Sequence, residues 1–496
     1  MDQKILLIEP PFHRLFKETY SLDRYPLALG YLAGAIQQET DWQVRTYNAD
    51  FTPRSEQVKV SYLAGTGFAS YQRNLQNPSA KIWQEIHSVV ERHRPDVVGI
   101  SAKSQNFTSA CIVAELVKQV CPECLVVLGG AHASMIGPDV LLCPHIDLGV
   151  QGEGEATIVE LLGAIQAGAD TAEVPGVLYR RAGQRVAAAK REPVADLDSL
   201  AWPHASAPET LIDHGLYPPT AFQYVFATRG CPFNCFFCGS RNIWSRKVRF
   251  RSPDNVIAEL QQLQKLGLRF VHFDDDTFGV TRKHLRELCD AISTGCPGLK
   301  WSCEIHVNLV DEQTIAEMKQ AGCYRIQIGI ESGCDEILRA MRKGFTIAQA
   351  RAACDIIQRQ GLELHAFFMV GFPQETEETL AQTAQAMRDI AAGRVLYSIF
   401  TPYPGTEAYE YCQNRGLIGQ AVDLSKHFHQ SPENCFCENI SHERFRQLVT
   451  AIERTCDRRN ARRRMREIFS RNSLTRLRQL GPGKAIRKAW RVLRGK

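Results

Sequence analysis

Cys231-Pro-Phe-Asn-Cys235-Phe-Phe-Cys238 gathers three thiols on one short stretch, directly after an apolar run at residues 224–228 and the turn Arg229-Gly230. Thiols spaced so closely on a tight loop can wrap around a single inorganic centre. Thiolates are the usual protein ligands of iron–sulfur clusters. Three of them would serve all but one iron of a [4Fe–4S] cluster and leave that iron for a non-protein ligand. A zinc ion normally takes its ligands in pairs and needs a fourth. Cys121-Pro-Glu-Cys124 and Cys435-Phe-Cys437 offer donors of the right type, but neither has a comparable loop around it. Zinc and plain buried thiols are the alternatives to a cluster.

Working outward, apolar runs at 224–228, 270–274, 300–304, 324–330, 363–370 and 395–400 are each followed by a segment with helical spacing. Six such units predict a partial (β/α)6 barrel, with reactive groups at the carboxyl ends of its strands. Towards the amino terminus, runs at 4–8, 42–47, 97–101, 125–128 and 148–150 alternate with helical patterns at 27–37, 80–94 and 109–120. That alternation predicts a five-stranded, doubly wound, Rossmann-like domain whose ligand lies outside the carboxyl ends of the strands. Pro175-Gly176, Ala182-Gly183, Pro193 and Trp202-Pro203 read as a hairpin and an extended linker. Beyond about residue 440 the pattern is helical and basic, and Gly481-Pro482-Gly483 suggests two helices joined by a turn. The expected order in this α/β chain is a doubly wound domain at 1–165, a linker at 166–215, a barrel at 216–430 and a basic helical region at 431–496.

The chain of 496 residues is too long for one compact core, and its 44% hydrophobic and 23% charged residues are those of a globular protein. No apolar stretch approaches the ~20 residues that span a bilayer, and Met1-Asp-Gln-Lys leads straight into a strand without a signal-peptide pattern. The seventeen cysteines are scattered rather than paired, so a secreted disulfide framework is not expected and a cytoplasmic setting is. Cys111, Cys289, Cys303, Cys323, Cys334 and Cys354 lie in apolar or small-residue contexts and read as packing. From Arg454 to the end, sixteen Lys and Arg face only Asp457 and Glu467, a net +14 within an overall +5, so the preceding residues carry −9. Arg458, Arg459, Arg462, Arg463, Arg464 and Arg466, followed by Leu474, Leu477, Leu480, Ile486, Trp490, Val492 and Leu493, suit a solvated helical face or a peripheral contact with an anionic membrane. Nucleic-acid phosphates suit them less.

The cysteine spacing, with aromatic Phe237 before the last thiol, resembles the radical S-adenosylmethionine (SAM) superfamily. The likeness extends through the later strand ends in order: Phe273-Asp274-Asp275-Asp276-Thr277, then Glu331-Ser332-Gly333 with Met341-Arg-Lys343-Gly344, then Gly371-Phe-Pro373-Gln-Glu375-Thr376, then Thr401-Pro-Tyr403-Pro404-Gly405-Thr406. It implies that the open iron holds SAM, and that Phe237, Asp274, Asp275, Asp276, His306, Glu331, Ser332, Gly371 and Pro373 surround it. His306 stands where many relatives carry arginine, so it could equally meet substrate or be a barrel residue with its own partner. The likeness also implies a one-electron donor such as flavodoxin or ferredoxin.

The first domain resembles the cobalamin-binding domains fused to such barrels. Pro10-Pro11 after the first strand, Ser101 and Gln105 after the third, Gly129-Gly130 and His132 after the fourth, and Gly152-Glu153-Gly154 after the fifth carry that resemblance. The Asp-x-His-x-x-Gly spacing that supplies a histidine to cobalt is absent, and His13 is read as a stray histidine. The group includes anaerobic magnesium-protoporphyrin cyclase and the hopanoid and antibiotic C-methylases. It implies radical C-methylation of an unactivated carbon in a small-molecule, lipid or tetrapyrrole substrate. Radical cyclisation, ring contraction, oxidation or C–C coupling is the alternative, and methylthiolation or a non-catalytic binding role fits less well.

Overall fold

The computed structural model describes residues 3–468, so the membrane-facing expectation for the stretch from Leu474 to Leu493 falls outside the described residues. Contacts divide the chain into two units, residues 1–301 with 401–434, and residues 302–400 with 435–496.

In the first unit, β1 (Lys4–Glu9), β2 (Gln43–Asn48), β3 (Val97–Ser101), β4 (Leu125–Gly129) and β5 (Leu148–Val150) pair in parallel in the order β2-β1-β3-β4-β5. β1, β3, β4 and β5 lack the apolar-polar alternation of a half-exposed sheet because both of their faces are covered, whereas the edge strand β2 alternates at Gln43-Val44-Arg45-Thr46. Leu6 and Ile8 face one core with Val98, Ile100, Val126 and Leu128, while Ile5 and Leu7 face the other with Val97 and Val127. The order reverses between β1 and β3, which opens a crevice at their carboxyl ends. The chain leaves those two ends at Glu9 and Ser101.

The expected hairpin belongs to this sheet. β6 (Val177–Arg181) and β7 (Gln184–Ala187) extend it antiparallel to seven strands. The helix Pro203–Thr210 packs on the helix Leu27–Glu39, where a Cβ at Gly30 would lie 2.6 Å from that of Pro203. The apolar Val177 and Leu178 are fully buried on β5, an advantage a free linker would forfeit.

The first barrel strand is broken. β8 (Tyr224–Val225) pairs in parallel with the later strand, whereas β9 (Thr228–Arg229) turns away to pair antiparallel with β10 (Arg249–Phe250). The cysteines lie on the excursion between β9 and β10. β11 (Phe270–Phe273), β12 (Lys300–Glu304), β13 (Cys323–Glu331), β14 (Glu363–Val370) and β15 (Arg394–Ile399) follow, and the sheet runs β8-β11-β12-β13-β14-β15. This is the open six-stranded, helix-connected sheet of a partial barrel.

In the second unit the described part of the basic region forms one helix, His442–Ile468, where the first of the two expected helices lies, and the expected turn and second helix fall outside the described residues. The Asn460 side chain donates to the Val395 carbonyl at 2.7 Å and accepts from its N–H at 3.0 Å, imitating a neighbouring strand on the edge of β15. Arg459 donates to the carbonyls of Ile390 and Ala392, and Arg463 to Gln358, so part of the arginine run is used in packing. Cys289, Cys303, Cys323, Cys334 and Cys354 are buried as expected, and Cys111 is half-buried.

Candidate functional site

The cysteine loop leaves β9 through Gly230, whose φ of +103° suits glycine and whose Cβ would lie 2.6 Å from the Lys247 carbonyl oxygen. The chain can thus fold back on itself at the root of the loop. Cys231, Cys235, Cys238 and Phe237 are half-buried, and the Ser240 N–H points at the Cys238 sulfur at 3.5 Å. Burial pushes the Cys238 thiol up to about 11. Among the described residues no three His, Cys, Asp or Glu side chains converge as ligands of one ion must. Cluster ligands each bind a different iron and stand further apart. A loop with three half-buried cysteines, one of whose sulfurs faces an N–H, fits that arrangement. Cys121 and Cys124 lie before the amino end of β4, opposite the strand ends that carry the motifs, so they are not fourth ligands.

The three acids after β11 have three different tasks. Asp274 pairs with Arg24, whose guanidinium also lies 4.0 Å from the Tyr224 ring centre. Asp275 is buried and accepts from the Ala227 N–H at 3.1 Å and from the Thr228 hydroxyl, which ties β11 to the broken strand. Burial raises its carboxyl to about 7. Expected as a SAM contact, Asp275 is instead a structural tie, because its acceptors are taken by backbone and threonine. Asp276 is exposed and accepts from Ser240 at 2.7 Å, on the rim of the cysteine loop. It is the acid best placed for a ligand.

Within the second unit, β13 ends in a bulge at Gly329/Glu331, with Glu331 at φ +70°. Glu331 is half-buried and 3.3 Å from the Lys343 ammonium. Ser332 is fully buried, bonded to Thr383 Oγ1 at 3.1 Å and to the Cys334 N–H, which removes it from the SAM contacts expected. His306 accepts from the Asn308 N–H at 3.3 Å as a helix cap, and burial with nearby Lys343 pulls its pKa down to about 3, so it is neutral. Gly371 turns at φ +91° against the Phe445 ring, and the Pro373 carbonyl accepts from Glu438 at 2.8 Å. Glu375 binds the Gly371 and Phe372 N–H groups with one oxygen and shapes this turn.

At the doubly wound sheet, Pro10 and Pro11 are buried, Ser101 and Gln105 half-buried, beside the β1/β3 crevice. His13 is held by Asp50, which follows β2, at 2.5 Å from its Nδ1. That fixed imidazole was not anticipated, because its partner is 37 residues away in sequence. Gly129 is uncrowded, and a Cβ at Gly152 would meet nothing within 4 Å. Both leave backbone open to a large ligand. Gly130 is glycine for another reason, since a Cβ would collide with the Ala102 backbone. His132 is 1% exposed and its Nδ1 lies 2.9 Å from Ser104 Oγ; burial lowers it to about 4. It is a neutral interior histidine rather than a surface contact, and its Nε2 has no hydrogen-bond partner among the described residues.

Glu153 also departs from expectation. It is buried, accepts from both Arg249 Nη atoms at 2.6 and 2.8 Å and from Arg229 at 3.2 Å, and Glu155 accepts from Arg229 at 2.6 Å. Burial alone would raise the Glu153 carboxyl, but the two arginines hold it below the usual carboxylate value. Gly154 packs on Leu32, 3.0 Å from a Cβ position. The 152–155 turn after β5 therefore reaches the base of the cysteine loop. A second tie lies nearby: a Cβ at Gly239 would be 2.8 Å from the Met135 sulfur, and the Asn242 amide donates to the Gly405 carbonyl at 2.6 Å. The crevice domain and the cysteine loop share one unit.

A B12 binding domain model matches residues 14–162, and a Radical SAM superfamily model matches residues 225–387. An uncharacterized methyltransferase of Pyrococcus horikoshii is 29% identical over 84% of this chain and 84% of its own length. The anaerobic magnesium-protoporphyrin IX monomethyl ester cyclase of Rubrivivax gelatinosus is 30% identical over 70% of this chain, which spans only 63% of that protein. The solved structure of TsrM, a radical S-adenosylmethionine methyltransferase from Kitasatospora setae, superposes with a TM-score of 0.65 at 17% identity, covering 85% of this chain and 78% of that one, and establishes the likeness of fold. With both domains matched in this order, the chain belongs to the radical SAM enzymes that carry an amino-terminal B12-binding domain, a family whose cofactors are a [4Fe–4S] cluster, SAM and cobalamin.

Proposed function

We propose that this enzyme is a cobalamin-dependent radical SAM C-methylase acting on an unactivated carbon of a small-molecule, lipid or tetrapyrrole substrate. The observation that carries the reading is the direct tie, inside one unit, between the carboxyl ends of a B12-type sheet and the three-cysteine loop. Bound there, the cluster and SAM supply a 5′-deoxyadenosyl radical, and cobalamin supplies a transferable methyl group.

The chain's own residues have separable tasks. Cys231, Cys235 and Cys238 hold the cluster. Ser240 and Asp276 present a hydroxyl and a carboxylate beside it, suited to the SAM amino group. In the second unit, Glu331 and the Gly371–Pro373 turn are proposed for SAM on the resemblance of their motifs alone. Pro10, Pro11, Ser101, Gln105, Gly129 and Gly152 form the floor for a corrin. Exposed Arg454, Arg458 and Arg462 are the described part of the basic region left for an anionic bilayer. Replacing the three by Gln should lower co-sedimentation with anionic vesicles, and equal co-sedimentation would remove the membrane contact.

Anaerobic reconstitution with iron, sulfide and hydroxocobalamin, followed by SAM labelled in its methyl carbon, tests the reading. Retained cobalamin that acquires the label is the expected result. A protein that takes up the cluster but retains no cobalamin would end the methylase reading. It would leave radical chemistry without methyl transfer as the remaining reading.

A further inference from the structure

Arg229 and Arg249 are register partners in the antiparallel ribbon that closes the base of the cysteine loop, and both are buried. Like charges opposed across a strand pair repel, and a buried charge without a counter-ion is strongly destabilising. The ribbon has only two residues on each strand, so backbone hydrogen bonds offer little to offset that repulsion. The counter-charges come from the B12-type domain. Glu153 takes both Nη atoms of Arg249 and one of Arg229, and Glu155 takes the other Nη of Arg229. Tyr31 and Trp244 lie 4.9 and 5.0 Å from the Arg229 guanidinium and complete its enclosure. Glu153 sits on the turn that follows β5, and Glu155 opens the helix Glu155–Ala167.

We propose that Glu153 and Glu155 are positioning residues for the cluster: the cysteine loop closes into its ligating form only on the 152–155 turn, so the B12-type domain assembles the cluster site as well as its own. The proposal rests on the cofactor assignment above. It assigns the Glu153 and Glu155 side chains to the cluster loop and not to a corrin contact.

Hydrogen exchange of the full chain without cofactors, and iron retained against a chelator after anaerobic reconstitution, test it in Glu153→Gln, Glu155→Gln and Glu153→Asp. Glu160→Gln, which removes only the solvent-facing partner of Arg191, is the control. In Glu153→Gln, amides of residues 228–250 should exchange about tenfold faster or more while β1 to β5 and β13 to β14 keep wild-type protection. Iron retention should weaken by about tenfold. Glu155→Gln should give a smaller change at the same place, and Glu153→Asp should restore part of the protection. Wild-type exchange at 228–250 in Glu153→Gln, or faster exchange spread evenly along the chain, would overturn the proposal. If Glu153→Gln yields no folded protein, unchanged exchange at 228–250 in Glu155→Gln overturns it instead. Failure of the cofactor assignment looks different: wild-type protein then takes up no iron, whatever the exchange pattern.

Discussion

Glu375 shows how burial sets chemistry at single residues. Its side chain has no exposed surface, and burial lifts its carboxyl to about 8 against the acceptor bonds from Gly371 and Phe372. The native state therefore keeps a proton that an unfolded glutamate loses near 4.5. Stability from this site is complete below the unfolded value and is lost as pH rises through the range from about 4.5 to about 8. Glu375→Gln should flatten that decline in denaturant midpoints measured between pH 5 and 8, and an unaltered slope would contradict the assignment. The same logic separates the aspartates after β11. Asp275→Ala should cost roughly 1–3 kcal/mol in equilibrium unfolding because two donors lose their acceptor. Sequence marked all three acids alike, since adjacent carboxylates at a strand end carry no sign of which turns inward. The partners of Ser332, Glu153 and His132 were hidden for the same reason: a polar residue in a recognisable motif can bond to a group distant in sequence.

At the scale of elements, continuous apolar runs such as Ile5-Leu6-Leu7-Ile8 were readable because a parallel strand buried on both faces has no polar face. The β9/β10 ribbon was not readable. Two residues per strand establish no period, although Val248-Arg249-Phe250-Arg251 alternates as a half-buried strand would. The hairpin at 177–187 was seen as a hairpin but not as part of the sheet, because pairing with β5 depends on topology and not on local sequence. Edge strand β15 depends on the Asn460 amide, and an exposed edge invites pairing with another chain. Asn460→Ala should lower stability by roughly 1–3 kcal/mol and raise light scattering on heating. Stability and scattering equal to wild type would show that the helix covers this edge without its amide.

At the scale of the whole molecule, a B12-binding domain and a radical SAM domain carrying a three-cysteine loop follow one another in a single chain. The cysteine spacing and the strand order carried this much from sequence. The ionic tie between the crevice domain and the loop came only from the folded chain. In the proposed function, Cys231, Cys235 and Cys238 hold the cluster that cleaves SAM. The most direct test is 5′-deoxyadenosine formation by anaerobically reconstituted protein given SAM and a reductant, compared with Cys235→Ala. Product from the wild type and none above background from the variant is the predicted result; equal 5′-deoxyadenosine from both proteins would contradict it.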